Sequence, residues 1–244
     1  MPNWVYNTLE IEAIEADPEQ LTKIVSQLNQ PFSVNHDSWN PETGQMEKKP
    51  TQYSNPILGF WNIIKPTDLE TYFGPQPEVD LNKPITFDSD HWYDWNVRNW
   101  GTKWDVSVKD GDEYPDTTME QGEGIVVYNF NTAWSPPVPA ILALSEQYPE
   151  LVFTLTYQEE TGWGGDCTIM SGQIVNEANY ESQCRDCDAV DCMEYCENDC
   201  GEICSECNYM GEADLEAVSE CEIHKIYLDE EHVPEYRQLD NVKA

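Results

Sequence analysis

Seven of the nine cysteines in this 244-residue chain fall in one stretch, spaced Cys184-x2-Cys187-x4-Cys192-x3-Cys196-x3-Cys200-x3-Cys204-x2-Cys207. Cys184 with Cys187 and Cys204 with Cys207 make two C-x2-C pairs separated by sixteen residues. That spacing suits one tetrahedral Zn²⁺ held by four thiolates. Between the pairs, Cys192, Cys196 and Cys200 recur at i, i+4 and i+8. This is the period of a helix face, and with Cys221 or His224 it could serve a second ion. An all-thiolate shell is closed, so the expected zinc is structural rather than catalytic. Neither common ferredoxin cysteine spacing occurs, which turns the reading away from an iron–sulfur cluster. The segment has almost no aliphatic core of its own, so the metal would supply its folding energy.

Redox compartment bears on that choice. Met1 to Asn7 shows no basic stretch followed by an apolar one, and no run approaches the ~18 apolar residues of a membrane span. The expectation is a cytoplasmic chain with no membrane partner, where thiols bind metal rather than pair.

Other chemistry is thinly represented. His36, His91, His224 and His232 form no H-E-x-x-H pattern, and Gly162 to Gly165 lack the Lys-Ser/Thr end of a phosphate loop. No G-x-S-x-G elbow is present. Adjacent acids such as Glu159 and Glu160 on a strand would face opposite ways, poor geometry for paired acid–base work. No catalytic residue is therefore assigned. Trp92, Trp95, Trp100 and Trp104 lie within 13 residues. Aromatic faces bind bases, sugars and cations, but tryptophans at helical spacing beside a small sheet are read first as core.

The charge is extreme: 12 basic against 47 acidic residues, a net −35. Residues 1–175 carry −19 and residues 176–244 carry −16, so the shorter part is the denser. Such a chain repels nucleic acid and anionic lipid and attracts cationic proteins.

These groups need elements to hold them. Residues 3–12 alternate as a half-buried strand with Val5, Leu9 and Ile11 on one side. Asp17 and Pro18 open a helix carrying the stripe Leu21, Ile24, Val25 and Leu28. From Gln30 to Pro66, five prolines predict a long insertion with little regular structure, in which the apolar run Ile57–Ile64 packs back on the domain. Residues 67–88 are loop-like, and Asp90–Gly101 reads as an aromatic helix capped by Ser89 or Asp90 and closed by Gly101. Strands are expected at 103–109 and 124–131, paired as a hairpin across an acidic turn. Ser135 and Pro136 announce a helix to about Tyr148, followed by a strand at 151–157 and a partner at 167–175. Strand, helix, strand, strand, helix, strand is the split βαβ, ferredoxin-like order. The fold class is thus α+β: a ferredoxin-like sheet domain over 1–175 with an insertion at about 30–102, a small Cys-rich zinc module over 176–221, and an acidic segment over 222–244.

Several segments carry a resemblance as well: Asn3–Asn7, Phe60–Pro66, Asn99–Asp105, Phe130–Pro137 and Glu159–Gly165. In this order they look like the YubB ferredoxin-like domain family, over about residues 1–175. The resemblance implies the ferredoxin-like fold and an origin in bacteriophages or conjugative plasmids. It implies no catalytic residues, because that family has no established activity.

Together these observations set an expectation of a non-enzymatic protein, cytoplasmic in a host cell, that binds a host protein through a basic surface. Its specific form is a counter-defence inhibitor whose carboxylates stand in for nucleic-acid phosphates, with Glu194, Glu197, Asp199 and Glu202 at the contact and no direct nucleic-acid binding. Two rivals are a zinc-dependent nucleic-acid-binding or processing protein, which 12 Lys and Arg make hard to assemble, and an enzyme using a Trp-rich cleft.

Overall fold

The computed structural model describes residues 3–14, 17–75, 86–112, 117–182, 190–191, 193–195, 201–204 and 210–213, with backbone alone at 36–39, 46 and from 193 onward. The chain divides into two compact units, residues 1–160 with 165–179, and residues 161–164 with 180–244.

The first unit is built around β1 (Trp4–Glu12), whose period-two alternation buries Val5, Asn7, Leu9 and Ile11. β1 lies antiparallel between β5 (Ile125–Ala133) and β6 (Val152–Glu159), with Leu9 registered against Tyr128 on one side and Leu155 on the other. β4 (Thr118–Gly122) pairs with the outer side of β5, while β7 (Gly164–Met170) and β8 (Gln173–Tyr180) extend the sheet beyond β6. The sheet order is β4-β5-β1-β6-β7-β8. Its first four strands, with α1 (Glu19–Leu28) after β1 and α4 (Val138–Gln147) after β5, form the ferredoxin-like split βαβ arrangement.

Helix α1 forms where the sequence predicts it. Asp17 Oδ1 accepts the Glu19 N–H at 3.0 Å, and Leu21, Ile24 and Leu28 are buried. In α4 the buried face is Ala140, Ile141, Leu144 and Ser145. With Val126, Tyr128, Phe130, Phe153 and Leu155 from the strands, these residues make the core.

The single strand expected at 167–175 is split by a turn at Ser171 and Gly172, both at positive φ, into the end of β7 and the start of β8. Three further local expectations differ. The partner of β5 is β4, not residues 103–109. All five β4 residues are exposed, so an edge strand carries no hydrophobic alternation to announce it, whereas 103–109 is held as irregular chain by hydrogen bonds to Asp105. Second, the proline-rich insertion contains a two-stranded ribbon, β2 (Phe32–Asn40) and β3 (Gln45–Tyr53). Pro50 is tolerated because every residue of a lone ribbon lies near an open edge. Third, Ser135 does not cap α4 with its side chain: its hydroxyl donates to the Gly101 carbonyl.

The apolar run does pack back, with Leu58, Phe60 and Ile63 buried around the 3-10 turn Phe60–Asn62. A short helix, α2 (Leu69–Tyr72), follows, and α3 (Trp92–Trp100) matches the expected aromatic helix. Gly101 ends α3 at φ 82°, where a Cβ would stand 2.5 Å from Pro139 Cδ.

In the second unit, β9 (Met193–Tyr195), β10 (Gly201–Cys204) and β11 (Met210–Ala213) form an antiparallel sheet in the order β11-β10-β9. The helical spacing read into Cys192, Cys196 and Cys200 needs a helix through 193–195. Those residues are instead extended, because they pair with 202–204. Among the described residues, no helix is long and apolar enough to cross a membrane.

Candidate functional site

The insertion and α3 together build an aromatic cavity in the first unit. Phe32 and Tyr53 are registered opposite each other on β2 and β3, so their rings stack at 4.5 Å. Phe32 also lies nearly parallel to Trp61, at 6.3 Å. Tyr72, the last residue of α2, meets Trp61 edge-on at 5.9 Å and Phe73 at 4.7 Å. From α3, Trp92, Asn96 and Trp100 share one face by their i, i+4, i+8 spacing. With Val34, Gly74, Trp104 and Asp105 these residues enclose about 460 Å³. That is within the size range of small-ligand pockets.

Polar atoms in the wall are mostly committed. The Tyr72 hydroxyl donates to Asn96 Oδ1 at 2.8 Å, and Asn96 Nδ2 donates to the Lys103 carbonyl at 2.9 Å. Trp100 Nε1 donates to the Ile64 carbonyl at 3.0 Å. Asp105 Oδ1 accepts the N–H groups of Phe60 and Ser107, at 3.2 and 2.9 Å, and Oδ2 accepts that of Trp61 at 2.8 Å. Burial pushes the Asp105 carboxyl above its usual range, opposed by those same N–H groups. Tyr53 is pushed up to about 12, first by burial and then by the charges of Asp105 and Asp112. Burial raises Tyr72 as well.

Beside the cavity stands an aromatic clamp on the chain's own cation. Lys103 Nζ sits 4.6 Å from the ring centres of both Trp104 and Trp134, and 5.9 Å from that of Tyr93. Trp134 is 43% exposed and holds φ 72°, a left-handed conformation fixed in part by its N–H donating to the Asn3 carbonyl. Lys48 Nζ lies 5.6 Å over Phe73 at the cavity wall.

The tryptophan cluster divides. Trp95 and Trp100 are buried, as the core reading expects, yet Trp100 also forms part of the cavity wall, together with the less buried Trp92 and Trp104 and with Trp61. Of the remaining wall residues, Phe32, Val34, Tyr53, Tyr72, Phe73, Gly74 and Asn96 carry no functional reading from the sequence, and Asp105 enters it only as the end of the resemblance segment Asn99–Asp105. One signal did point there: the separate segments of the family resemblance interlock. Asp105 caps Phe60 and Trp61, Trp100 bonds Ile64, and the Thr102 hydroxyl donates to the Ala133 carbonyl at 3.0 Å.

Of the expected metal ligands, Cys184, Cys187, Cys192, Cys196, Cys200, Cys207 and Cys221 lie outside the described residues, and Cys204 is the last residue of β10. Among the described residues no group of three or more His, Cys, Asp or Glu side chains gathers into a metal site. Of the expected partner-binding acids, Glu194 pairs with Ile203 and Glu202 with Tyr195 in the small sheet, while Glu197 and Asp199 lie outside the described residues. Cys167 is a free, buried thiol that burial pushes up to about 11.

Residues 103–200 match the family described as the ferredoxin-like domain in Api92-like protein, in agreement with the α+β sheet architecture. The crystal structure of a protein api92 from Yersinia pseudotuberculosis is similar at 11% identity, covering 75% of this chain and 100% of that one, with a TM-score of 0.47. No curated protein matches the chain.

Proposed function

We propose that this ferredoxin-like protein works by binding, as a phage- or plasmid-encoded member of the YubB family that engages a basic surface on a host protein in the cytoplasm. The observation that carries this reading is the charge: a net −35, with 12 basic residues in 244. Long-range attraction then selects cationic surfaces, and the surfaces that cells keep most basic are those that hold nucleic acid. The carboxylates occupy that ground in place of phosphates, which makes the protein an inhibitor. In this reading Cys184, Cys187, Cys204 and Cys207 hold one Zn²⁺ that staples the acidic second unit. Four thiolates around Zn²⁺ leave a net −2, so the metal fixes acidity in place rather than relieving it.

The test is capture of partners from host lysate on the immobilised full chain at low and high salt, identified by mass spectrometry, then titration of the captured partner with and without DNA or RNA. A basic partner that dissociates at high salt and is displaced by nucleic acid is the expected result. Binding indifferent to both salt and nucleic acid would overturn the mimicry.

A further inference from the structure

We propose that the aromatic cavity of the first unit receives a trimethylated ammonium, carried by a lysine side chain of the basic partner. The proposal rests on the reading of a cationic protein partner and names the group that this site takes from it.

Eight aromatic residues line the cavity, and a ring whose face borders the space presents negative potential to a guest. The one charged side chain in the wall is Asp105. A neutral apolar guest would leave that carboxylate further desolvated with nothing to balance it, so the site favours a cation. Which cation is decided by hydrogen-bond capacity. A carboxylate has about four lone-pair sites, and three of those on Asp105 already accept the N–H groups of Phe60, Trp61 and Ser107. Asn96 is half committed, its Oδ1 accepting from Tyr72 and its Nδ2 donating to the Lys103 carbonyl, which leaves a single acceptor site on that amide. A primary ammonium brings three N–H donors and a guanidinium five, and entry would strip their water with too few acceptors to replace it. A trimethylated ammonium keeps the charge and brings no N–H. Its methyl groups fill apolar space against the rings.

The neighbouring clamp uses the same physics on the chain's own cation, with Lys103 Nζ 4.6 Å from the ring centres of Trp104 and Trp134. Partner lysine is favoured over a free small cation because the chain's −35 concentrates basic proteins at its surface, and the tethered group enters as part of a larger contact. Lys48, lying over Phe73, is the like charge that opposes entry.

The experiment titrates the full chain, read by its tryptophan fluorescence, with four probes: a short basic peptide bearing one trimethyl-lysine, the same peptide with unmodified lysine, the same peptide with a neutral tert-butyl isostere, and tetramethylammonium chloride. The expected result is binding of the trimethyl-lysine peptide at least about tenfold tighter than either other peptide, and tighter than tetramethylammonium. Asp105→Asn and Trp92→Leu should each remove most of that preference, and Lys48→Ala should strengthen binding. A urea denaturation midpoint and amide exchange protection of β1, β5 and β6 matching the parent separate loss of the site from loss of the fold, and Trp92→Leu keeps the Asp105 hydrogen bonds. Equal binding of the three peptides overturns the selectivity, and tighter binding of tetramethylammonium overturns the lysine source. If Trp92→Leu captures the lysate partner as well as the parent does, this inference fails while the electrostatic reading stands. Salt-independent capture with intact trimethyl-lysine preference overturns only the electrostatic reading.

Discussion

Asp105 accepts the backbone N–H of Trp61 at 2.8 Å across 44 residues of sequence, and the same carboxylate holds Phe60 and Ser107. One side chain therefore ties the apolar turn of the insertion to the segment that follows α3, and both contribute walls of the aromatic cavity. Asp105→Ala should cost about 3 kcal/mol or more, since three charge-assisted hydrogen bonds of about 1.5–3 kcal/mol each are lost while the desolvation cost of the carboxylate is relieved. Asp105→Asn should cost less, because one acceptor oxygen survives. Urea denaturation of the two variants checks the order. Equal stability of Asp105→Ala and the parent would mean that the insertion docks by apolar burial alone.

Gly101 is the second joint. Its φ of 82° ends α3, and a Cβ there would press on Pro139 at the start of α4. Gly101→Ala should destabilise by about 2 kcal/mol from the left-handed backbone alone, with the clash adding to it. Because Ser135 donates to the Gly101 carbonyl, displacement of this joint should also shift the Trp100 environment, visible in near-UV circular dichroism. Unchanged stability would show that α4 can slide to make room.

The Tyr53 phenol is raised to about 12, chiefly by burial, and so gives a pH signature. Its folded value lies above the unfolded value of about 10, so the fold favours the neutral form. The contribution is fully present below pH ~10 and is lost as pH rises through about 12. Difference titration of the parent against Tyr53→Phe at 295 nm should remove one phenol of late transition, and the variant should lose less stability over that interval. Disappearance of a phenol of ordinary value instead would mean that Tyr53 is solvated.

How legible was this arrangement in the sequence? β1, α1, β5 and β6 could be read because their apolar periods of 2 and 3.6 are imposed by burial on one face, as with Val5, Leu9 and Ile11 or Leu21, Ile24 and Leu28. β4 could not, because Thr118 to Gly122 bury nothing and join the sheet through backbone alone. Nor could the ribbon, whose Phe32 and Tyr53 acquire meaning only when register stacks them. Tryptophans at helical spacing read as core, and Trp95 and Trp100 obey. Trp92 is only half-buried, and both it and Trp100 border the cavity, since a helix period places residues on a face without saying whether solid core or a cavity lies opposite. Asp105 shows only as the end of the resemblance segment Asn99–Asp105, because its partners at Phe60 and Trp61 are distant in sequence and one more acid among 47 carries no chemical signal of its own.

The cysteine pairs make a prediction about content. Protein prepared without added metal should hold about one to two zinc ions per chain, measured by elemental analysis, because seven thiols lie in a segment too poor in aliphatic residues to fold on burial alone. Cys184→Ser with Cys187→Ser, or a strong chelator, should abolish exchange protection in β9, β10 and β11 while β1, β5 and β6 keep theirs. Zero zinc with a full set of titratable thiols would sink the metal. Loss of protection across both units would instead make them one cooperative core.

Electrostatic capture makes the last prediction. Residues 176–244 carry −16, and Glu194, Glu197, Asp199 and Glu202 cluster in sequence beside the cysteines without being proposed ligands. Reversing these four to Lys removes eight units of net negative charge, from −16 to −8 over residues 176–244, and should weaken partner binding at 0.1 M salt without releasing zinc. If attraction is mainly long-range, the parent and the reversed variant should converge as salt rises, because the screening length falls from about 10 Å at 0.1 M to about 3 Å at 1 M. Calorimetric titration of the captured partner at several salt concentrations, with zinc measured on the same samples, provides the check. A variant equal to the parent at low salt would place the contact elsewhere, and a difference that persists undiminished at 1 M would point to short-range pairing by these carboxylates rather than to a field.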